Sequence, residues 1–570
     1  MYILGISTGI ISSAALIKDG EVVCALAEER KTRKKRTRDF PINAIKFLLS
    51  SEGISLEEVD YVAQSWNPAI NLLKYKESYS NSYRWIPEML YATPNHLLEI
   101  INQKDDCKYV LQKLAFTHND SDLNIYYVQH HLCHAALSYY LSSMNEAAIL
   151  TVDGFGENAC CLLAKGSVSG INKIEEIYFP HSLGAFYETM TEFLGFIPDS
   201  DEWKVMGMAA YGNPSVYQNA IEKLVILKED GKYELDLTYF EHYNFDTPKR
   251  YSPKMEAIIG KARDKHESIE QRHYDIAASV QLTFEKAVYH LLNYLFKITN
   301  LKKVCLSGGA AMNCVMNGKI VGNTPFEEVF IPYAPDDSGN SIGGALYLHH
   351  NILGRPYNVK KETSSYLGRS WSDKEIKEIL DKYQVSYIVP DDLYLTTVKL
   401  IKDENIVGWF QGRAEFGQRA LGNRSILATP LEKDIKRKIN AKIKYREDFR
   451  PFAPSILEER VRDFFDITEN VKSPYMEQVF PVKKEMQSKI PAVVHNDGTG
   501  RVHMVSKKTN TEFYRLIEAF ESLTTIPILL NTSFNVSGEP IVNSPEDALR
   551  TFTTSGLDVL VIGKYIITKK

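Results

Sequence analysis

Short apolar runs open the chain. YILGIS, SSAALI and EVVCALAE are separated by turn residues, and Lys18-Asp19-Gly20 is a strong hairpin signal, so the pattern predicts strand, turn and strand over the first 30 residues. From 42 to 140 the apolar spacing changes to three and four, and INAIKFLLSSEGI, IPEMLYA, NHLLEIINQ and CKYVLQKLAF each predict a helix. AAILTVDGFGENACCLLAKG and NKIEEIYFP then predict strands, with further helices around 183–195 and 268–298. Residues 228–265, rich in Lys, Asp and Glu, carry little periodicity and are expected to hold surface loops. VCLSGGAAMN and EVFIPYAPDDSGNSIGGALYLHH each read as a short buried strand, a turn and a helix start.

Around Gly354–Lys361 the pattern lapses into a polar, Pro-bearing stretch of linker type. From about 371 an amphipathic helix, SDKEIKEILDKY, restarts it, followed by the expected strands VSYIVP and IVGWFQG. The predicted organisation is a first α/β domain over 1–354, a linker over 355–370 and a second α/β domain over 371–570. At roughly 150 residues per domain, a chain of 570 residues accommodates this division.

Hydrophobic residues make up 44% and charged residues 24%, the usage of an ordinary globular chain, which excludes a disordered one. Lys and Arg number 67 against 72 Asp and Glu, a net charge of −5, so nothing global indicates nucleic acid or an anionic membrane as partner. The seven cysteines include no C-x-x-C pair, which argues against a disulfide framework or zinc ribbon and leads us to expect a reducing cytoplasm. The apolar N-terminus is broken by Gly and Ser and followed by acidic residues, so no signal peptide is expected. No run of about 18 apolar residues predicts a membrane helix.

Candidate chemistry begins at VQHHLCHAA. His130 and His134 are four apart, which on a helix presents two imidazoles on one face, although an exposed pair that binds nothing has the same spacing. Asp153 in TVDGFGE, and Asp336 and Asp337 in APDDSGN, lie where apolar strands run into Gly-rich turns. There a carboxylate either holds a metal or caps its own turn. Two His and two Asp would form a mixed nitrogen and oxygen site suited to iron, manganese or zinc. Ser307-Gly308-Gly309 stands between a strand and a helix, where free backbone N–H groups favour an anion, although no Walker loop occurs.

From Gly412 to Arg450 there are 11 Lys plus Arg against 5 Asp plus Glu. Such a run is commonly a solvated face. Here the arginines are interleaved with Phe416, Gly417, Gly422, Phe449 and Phe452, a setting that suits rigid capture of phosphate or carboxylate better. A groove for single-stranded RNA would use similar residues.

The ordered set HHLCHAA, TVDGFGE, DEWKVMGMAAYG, LSGGAAMN, APDDSGNSIGGAL, GRAEFGQRALGNRSILA, KYREDFRPFAPS, SPYM and LLNTSFNVSGEPIV resembles the carbamoyltransferase family of nodulation-factor, cephalosporin and tobramycin O-carbamoyltransferases over essentially the whole chain. The resemblance implies an N-terminal actin-like ATPase domain, similar to the enzyme that places threonylcarbamoyl on tRNA adenosine, and a C-terminal YrdC-like α/β domain. It implies that the second domain uses ATP and carbamoyl phosphate to form carbamoyl-adenylate and pyrophosphate. The first would pass the carbamoyl group to a hydroxyl of a small metabolite, a sugar or natural product, releasing AMP.

By the same resemblance the metal ligands are His130, His134, Asp153 and Asp337, with Fe(II) the ion and Mg²⁺ a counterion of ATP. Ser307, Gly308, Gly309, Asn313, Lys204 and Gly207 match nucleotide-binding segments. Arg419, Lys444, Arg446, Arg450 and Arg501 match the carbamoyl-phosphate and ATP pocket, with Asn531, Ser533 and Asn535 adding hydrogen bonds.

One departure stands out: the family's His-Asp pair before Ser-Ala-Ala-Leu is here Ile10-Ile11, neither of which moves a proton. By sequence position His130, His131 or Asp336 are the substitutes as base. A tRNA threonylcarbamoylation-type enzyme and a non-catalytic nucleotide-binding protein are the alternatives. No membrane or nucleic-acid partner is expected, and a homodimer is left open.

Overall fold

The computed structural model describes residues 1–67, 124–244, 247–359, 363–446, 450 and 452–569. The chain divides into two units: Met1–Glu28 with Arg38–Thr363, and Glu29–Thr37 with Ser364–Lys570. The change of unit falls inside the stretch read as a linker. A short piece of the chain's beginning also folds into the second unit, which no compositional shift announces.

The first unit contains two sheets built to one plan. β1 (Tyr2–Ser7), β2 (Ser13–Lys18), β3 (Glu21–Ala27), β4 (Tyr61–Gln64) and β5 (Asn124–Tyr127) lie in the order β3-β2-β1-β4-β5. β1 to β3 form an antiparallel meander, and β4 and β5 add parallel strands beyond β1. β6 (Glu146–Val152), β7 (Ala159–Ser167) and β8 (Gly170–Tyr178) form the second meander. After a small hairpin of β9 (Val225–Leu227) and β10 (Tyr233–Leu235), the parallel strands β11 (Lys303–Ser307) and β12 (Glu328–Phe330) complete the order β12-β11-β6-β7-β8. The repeated order is the duplication expected of an actin-like ATPase domain.

Two helices lie at the heart of this unit. His130–Leu141 has all 12 residues buried, and Asn340–Tyr347 is nearly as enclosed. Both are buried on all sides and not along one stripe, and both carry buried polar residues on the enclosed surface. They approach closely because Gly343 has no side chain: a Cβ there would lie 1.9 Å from the carbonyl oxygen of Cys133. A Cβ on Gly5 of β1 would likewise lie 1.8 Å from the carbonyl oxygen of Ser341. These contacts bring the start of one helix to the start of the other, where the imidazoles and Asp337 stand.

The second unit holds one mixed sheet. β13 (Val407–Phe410), β14 (Arg424–Ala428), β15 (Ala453–Leu457), β16 (Gln478–Pro481), β17 (Thr499–Val505), β18 (Ile528–Ser533), β19 (Val559–Ile562) and β20 (Tyr565–Thr568) take the order β16-β17-β15-β18-β14-β13-β19-β20. Its amphipathic helices start on side-chain caps that satisfy their first free N–H groups: Ser372 before Asp373–Lys382, Asp392 before Leu393–Lys402, Asn510 before Thr511–Thr524 and Ser544 before Pro545–Thr554. The basic segment Glu29–Thr37 is fastened here. Arg33 donates to the carbonyls of Pro540 and Ile541, each at 2.7 Å, and Arg30 donates to that of Gly417 at 2.9 Å.

The predicted helices near 42, 183–195, 268–298 and 371 appear as Ile42–Glu52, Leu183–Phe193, Gln271–Thr299 and Asp373–Lys382. Within 228–265 the loops are interrupted by β10 and the helix Pro253–Ile259. The predicted strand VSYIVP is not one. Ile388 makes a single bridge to Ile566, with Ile388 and Val389 left exposed at the sheet edge. The helices expected from IPEMLYA, NHLLEIINQ and CKYVLQKLAF fall outside the described residues. Among the described residues no helix is long and apolar enough to cross a membrane.

Candidate functional site

In the first unit His130, His134, Asp153 and Asp337 converge, each offering a ligand atom within 4.8 Å of the others. Nε2 of His130 and Nε2 of His134 face each other at 3.1 Å. Both approach Asp153 Oδ2, at 2.9 and 3.0 Å, and Asp337 Oδ1, at 3.4 and 3.5 Å. Burial opposes charge on His134, but the hydrogen bonds and charges of Asp153 and Asp337 outweigh it and lift its pKa to about 9. Burial likewise favours the neutral acid at Asp153, yet the two imidazoles hold it well below the usual carboxylate range.

The donor set fits a divalent cation. Ser307 Oγ donates to the carbonyl of Pro335 at 3.1 Å and therefore accepts from Nδ1–H of His134 at 3.2 Å, leaving the Nε2 lone pair of His134 turned inward. Oδ1 of Asn340 is buried without a partner among the described residues, while its amide nitrogen lies 3.4 Å from Nδ1 of His130. The same amide nitrogen lies 3.1 Å from Nε2 of His134, so Asn340 stands against both imidazoles.

The loop 307–309 supports this cluster. Gly308, at φ 96°, donates its N–H to the carbonyl of Pro335 at 2.8 Å, and Gly309 donates to Asp153 Oδ1 at 3.1 Å. The N–H groups of Gly308 and Gly309, expected to be free for an anion, are thus engaged within the protein, and that of Gly309 holds Asp153. Asn313 caps the helix Cys314–Gly318 and exchanges hydrogen bonds with Gln281. Lys204 pairs with Asp201 at 3.1 Å and lies over Phe196 and Trp203, with Gly207 one turn along the same helix, Glu202–Ala209.

The β1–β2 loop adjoins Asp337. Ser7 Oγ donates to the Asp337 carbonyl at 2.9 Å, and a Cβ on Gly9 would meet Asp337 Oδ2 at 2.5 Å. Ile10 and the buried Ile11 follow Gly9 in this loop. Two of the substitutes for a base are committed elsewhere. His131 has both ring nitrogens occupied, by Thr151 Oγ1 at 2.6 Å and the carbonyl of Ala159 at 2.9 Å, and burial pushes its pKa down to about 3. Asp336 accepts from Ser338 as the cap of its own turn.

The second unit presents the opposite electrostatics. The helix Asp434–Ile439 widens into a π-turn over Asn440–Lys444 and ends on Tyr445 in the left-handed region, which aims Lys444 inward. Its ammonium donates to the carbonyl of Ser533 at 2.5 Å, to the carbonyl of Asn535 at 2.9 Å and to Asn535 Oδ1 at 2.7 Å. Among the described residues no carboxylate pairs with it. Burial first, then the charges of Arg446, Arg450 and Lys35, push its pKa well below that of an ordinary lysine. Arg446 is held by Asn440 Oδ1 at 2.7 Å and stacks over Phe452. Arg419 is half-buried in the loop between β13 and β14.

Ladder register connects the remaining residues. Ser455 pairs with His503, so Ala453 lies level with Arg501, and Ala453 also pairs with Asn531. Arg501 and Asn531 thus flank Ala453 in one row on one face of the sheet, and Ser533 follows two residues along β18 on that face. Nε of Arg501 and Oδ1 of Asn531 are buried without partners among the described residues. Not every arginine of the basic run faces this patch. Arg424 is fully buried and donates to the carbonyls of Gln411, Asn423, Arg369 and Gly412, a structural role. Sequence reasoning missed Lys35, which reaches this unit from the segment Glu29–Thr37, and His495, in the turn before β17.

The chain thus holds an α/β unit of two like sheets that bears a two-His, two-Asp cluster, and a second α/β unit that bears a cationic patch. A profile described as carbamoyltransferase N-terminus matches residues 2–346, and one described as carbamoyltransferase C-terminus matches residues 398–569. The chain belongs to the carbamoyltransferase family, enzymes that take a carbamoyl group from a donor to an acceptor. It is 38% identical over its full length to an uncharacterised protein of Synechocystis, covering 97% of that protein. It is 35% identical to nodulation protein NolNO of Sinorhizobium fredii over 98% of this chain and 79% of the relative. Among solved structures it is similar to the activator of the 2-hydroxyisocaproyl-CoA dehydratase from Clostridium difficile, with 14% identity and a TM-score of 0.34 over 64% of this chain and 100% of that one. It is also similar to HypF of T. kodakarensis, with 15% identity and a TM-score of 0.31 over 62% and 48%.

Proposed function

We propose that this chain is an ATP-dependent O-carbamoyltransferase that works in two half-reactions. In the YrdC-like second domain, carbamoyl phosphate and ATP yield carbamoyl-adenylate and pyrophosphate; mass balance requires one water in and one orthophosphate out. In the first domain a hydroxyl of a small metabolite attacks the carbamoyl carbon, and AMP leaves with the electron pair of the broken C–O bond.

The observation that carries this reading is the Lys444 ammonium, which has no carboxylate partner among the described residues and stands amid Arg446, Arg450 and Lys35. Two polyanions repel each other, and fixed cations that need no reorganisation lower the barrier to bringing them together and to the departure of pyrophosphate. Arg419 and Arg501 would extend the cationic surface, and Asn531 and Ser533 would add hydrogen bonds. In the first domain His130, His134, Asp153 and Asp337 would hold the divalent ion, for which Fe(II) is our choice. Bound there, it would supply Lewis acidity towards a phosphate group. Ser307 and Gly309, on either side of Gly308, keep His134 and Asp153 oriented, and Asn313, Lys204 and Gly207 would border the nucleotide. With Ile10 and Ile11 inert, His131 locked and Asp336 capping a turn, the acceptor's proton has no dedicated base among these positions. That favours an acceptor hydroxyl acidified by its own structure.

The test is incubation of the purified protein with ATP, carbamoyl phosphate, Mg²⁺ and Fe²⁺ without acceptor, following pyrophosphate and trapped carbamoyl-adenylate by mass spectrometry. Carbamoyl-adenylate is the expected product. Bound ATP without pyrophosphate or adenylate would overturn the proposal.

A further inference from the structure

His495 carries a hydrogen-bond acceptor in a site otherwise rich in donors. Asp497 Oδ1 accepts from the backbone N–H of Thr499 at 3.1 Å and from its hydroxyl at 2.7 Å. With its proton spent on Asp497, the Thr499 hydroxyl can only accept from His495 Nδ1, which stands 3.2 Å away. The imidazole proton therefore sits on Nδ1. Burial, with the charges of Arg501 and Lys436 and against that of Asp497, keeps the ring neutral, its pKa pushed down to about 4. Nε2 is then a bare lone pair. It is shut off from solvent and has no partner among the described residues.

The groups around the patch donate: the guanidinium of Arg501, beside His495, and the cations around Lys444. Donors of this kind suit the phosphate and carbonyl oxygens of carbamoyl phosphate. Its one donating group is the –NH2, which needs an acceptor. We propose that Nε2 of His495 accepts a hydrogen bond from the carbamoyl –NH2, making His495 the residue that separates carbamoyl from acetyl donors. The assignment rests on the carbamoyl-phosphate site proposed above. Acetyl phosphate has the same shape but sets a methyl group against the lone pair, which is left without a partner.

Calorimetric dissociation constants for carbamoyl phosphate and acetyl phosphate test this in wild type, His495→Phe, His495→Asn and His495→Gln. Asn keeps a donor for Thr499 but does not reach the place of Nε2, whereas Gln brings an amide oxygen there. Wild type is expected to prefer carbamoyl phosphate by about 10- to 100-fold; Phe and Asn should bring the ratio to within about threefold of unity, and Gln should restore most of it. If Phe folds poorly, the Asn and Gln pair decides. A ratio unchanged in Asn, or lost equally in Asn and Gln, overturns the assignment to His495. Pyrophosphate release by wild type, run in parallel, separates the two failures. Selective binding without pyrophosphate sinks adenylate formation and keeps the role of His495, and no binding of carbamoyl phosphate sinks both.

Discussion

The polar centres of the two units solve opposite problems. In the first, two imidazoles stand between two carboxylates, and each charge has its partner: Asp153 is held ionised by His130 and His134, and His134 is lifted to about 9 by Asp153 and Asp337. In the second, the Lys444 ammonium is buried against neutral oxygens with further cations beside it. A buried charge without a counter-charge costs several kcal/mol of stability. On the proposed function the first centre takes a cation and the second an anion. A reaction that joins two anions and then transfers the product to a neutral hydroxyl has use for both.

The contrast breaks most visibly at Lys444. Lys444→Met should lower pyrophosphate release from ATP and carbamoyl phosphate by about 10³-fold, while the melting temperature of the ligand-free protein rises by a few degrees, on the order of 2–4 °C. Retained turnover, or a fall in melting temperature, would show that the ammonium is already compensated. Asp153→Asn addresses the other centre: bound metal per chain and carbamoylation of the acceptor should fall by about 100-fold, with pyrophosphate release unchanged within about twofold. Equal loss of both half-reactions would erase the distinction between the units.

The smallest effect comes from acid. His503 is buried neutral in the second unit, its pKa pushed down by burial to about 3, with Nδ1 on Ser455 Oγ at 2.8 Å. The unfolded chain takes up this proton near pH 6.5 and the folded chain does not. The contribution of His503 to stability is therefore fully present above that pH and drains as pH falls toward 3. Between pH 7 and 5 the loss should be about 2 kcal/mol by denaturant titration, and His503→Phe should remove it. An unchanged pH slope in the variant would mean that the ring is protonated in the folded state.

What the sequence made legible was whatever has a local cause. The meanders follow from apolar runs and turn residues, and His130, His134, Asp153 and Asp337 stand out because each sits at a helix start or strand end beside glycines. Gly308 and Gly309 were legible as a tight loop but not in their use, since the carboxylate that takes the N–H of Gly309 lies 156 residues earlier. VSYIVP has the composition of a strand, but its position on the sheet edge gives it a single bridge. His495 was hidden because its acceptor lone pair depends on a relay through Thr499 to Asp497. Lys35 was hidden because its setting is made by residues more than 400 positions away.

The segment Glu29–Thr37 bears on how such an enzyme can be cut and recombined. The chain passes from one unit to the other at Glu28, at Thr37 and again at Thr363, so the second unit is not a contiguous cassette. A chimaera that exchanges only residues 364–570 transplants a domain without its own Arg30, Arg33 and Lys35, and meets the host's copies instead. Successful recombination with a relative has to carry two fragments, and the match between the Arg33 guanidinium and the carbonyls of Pro540 and Ile541 is the seam to inspect first.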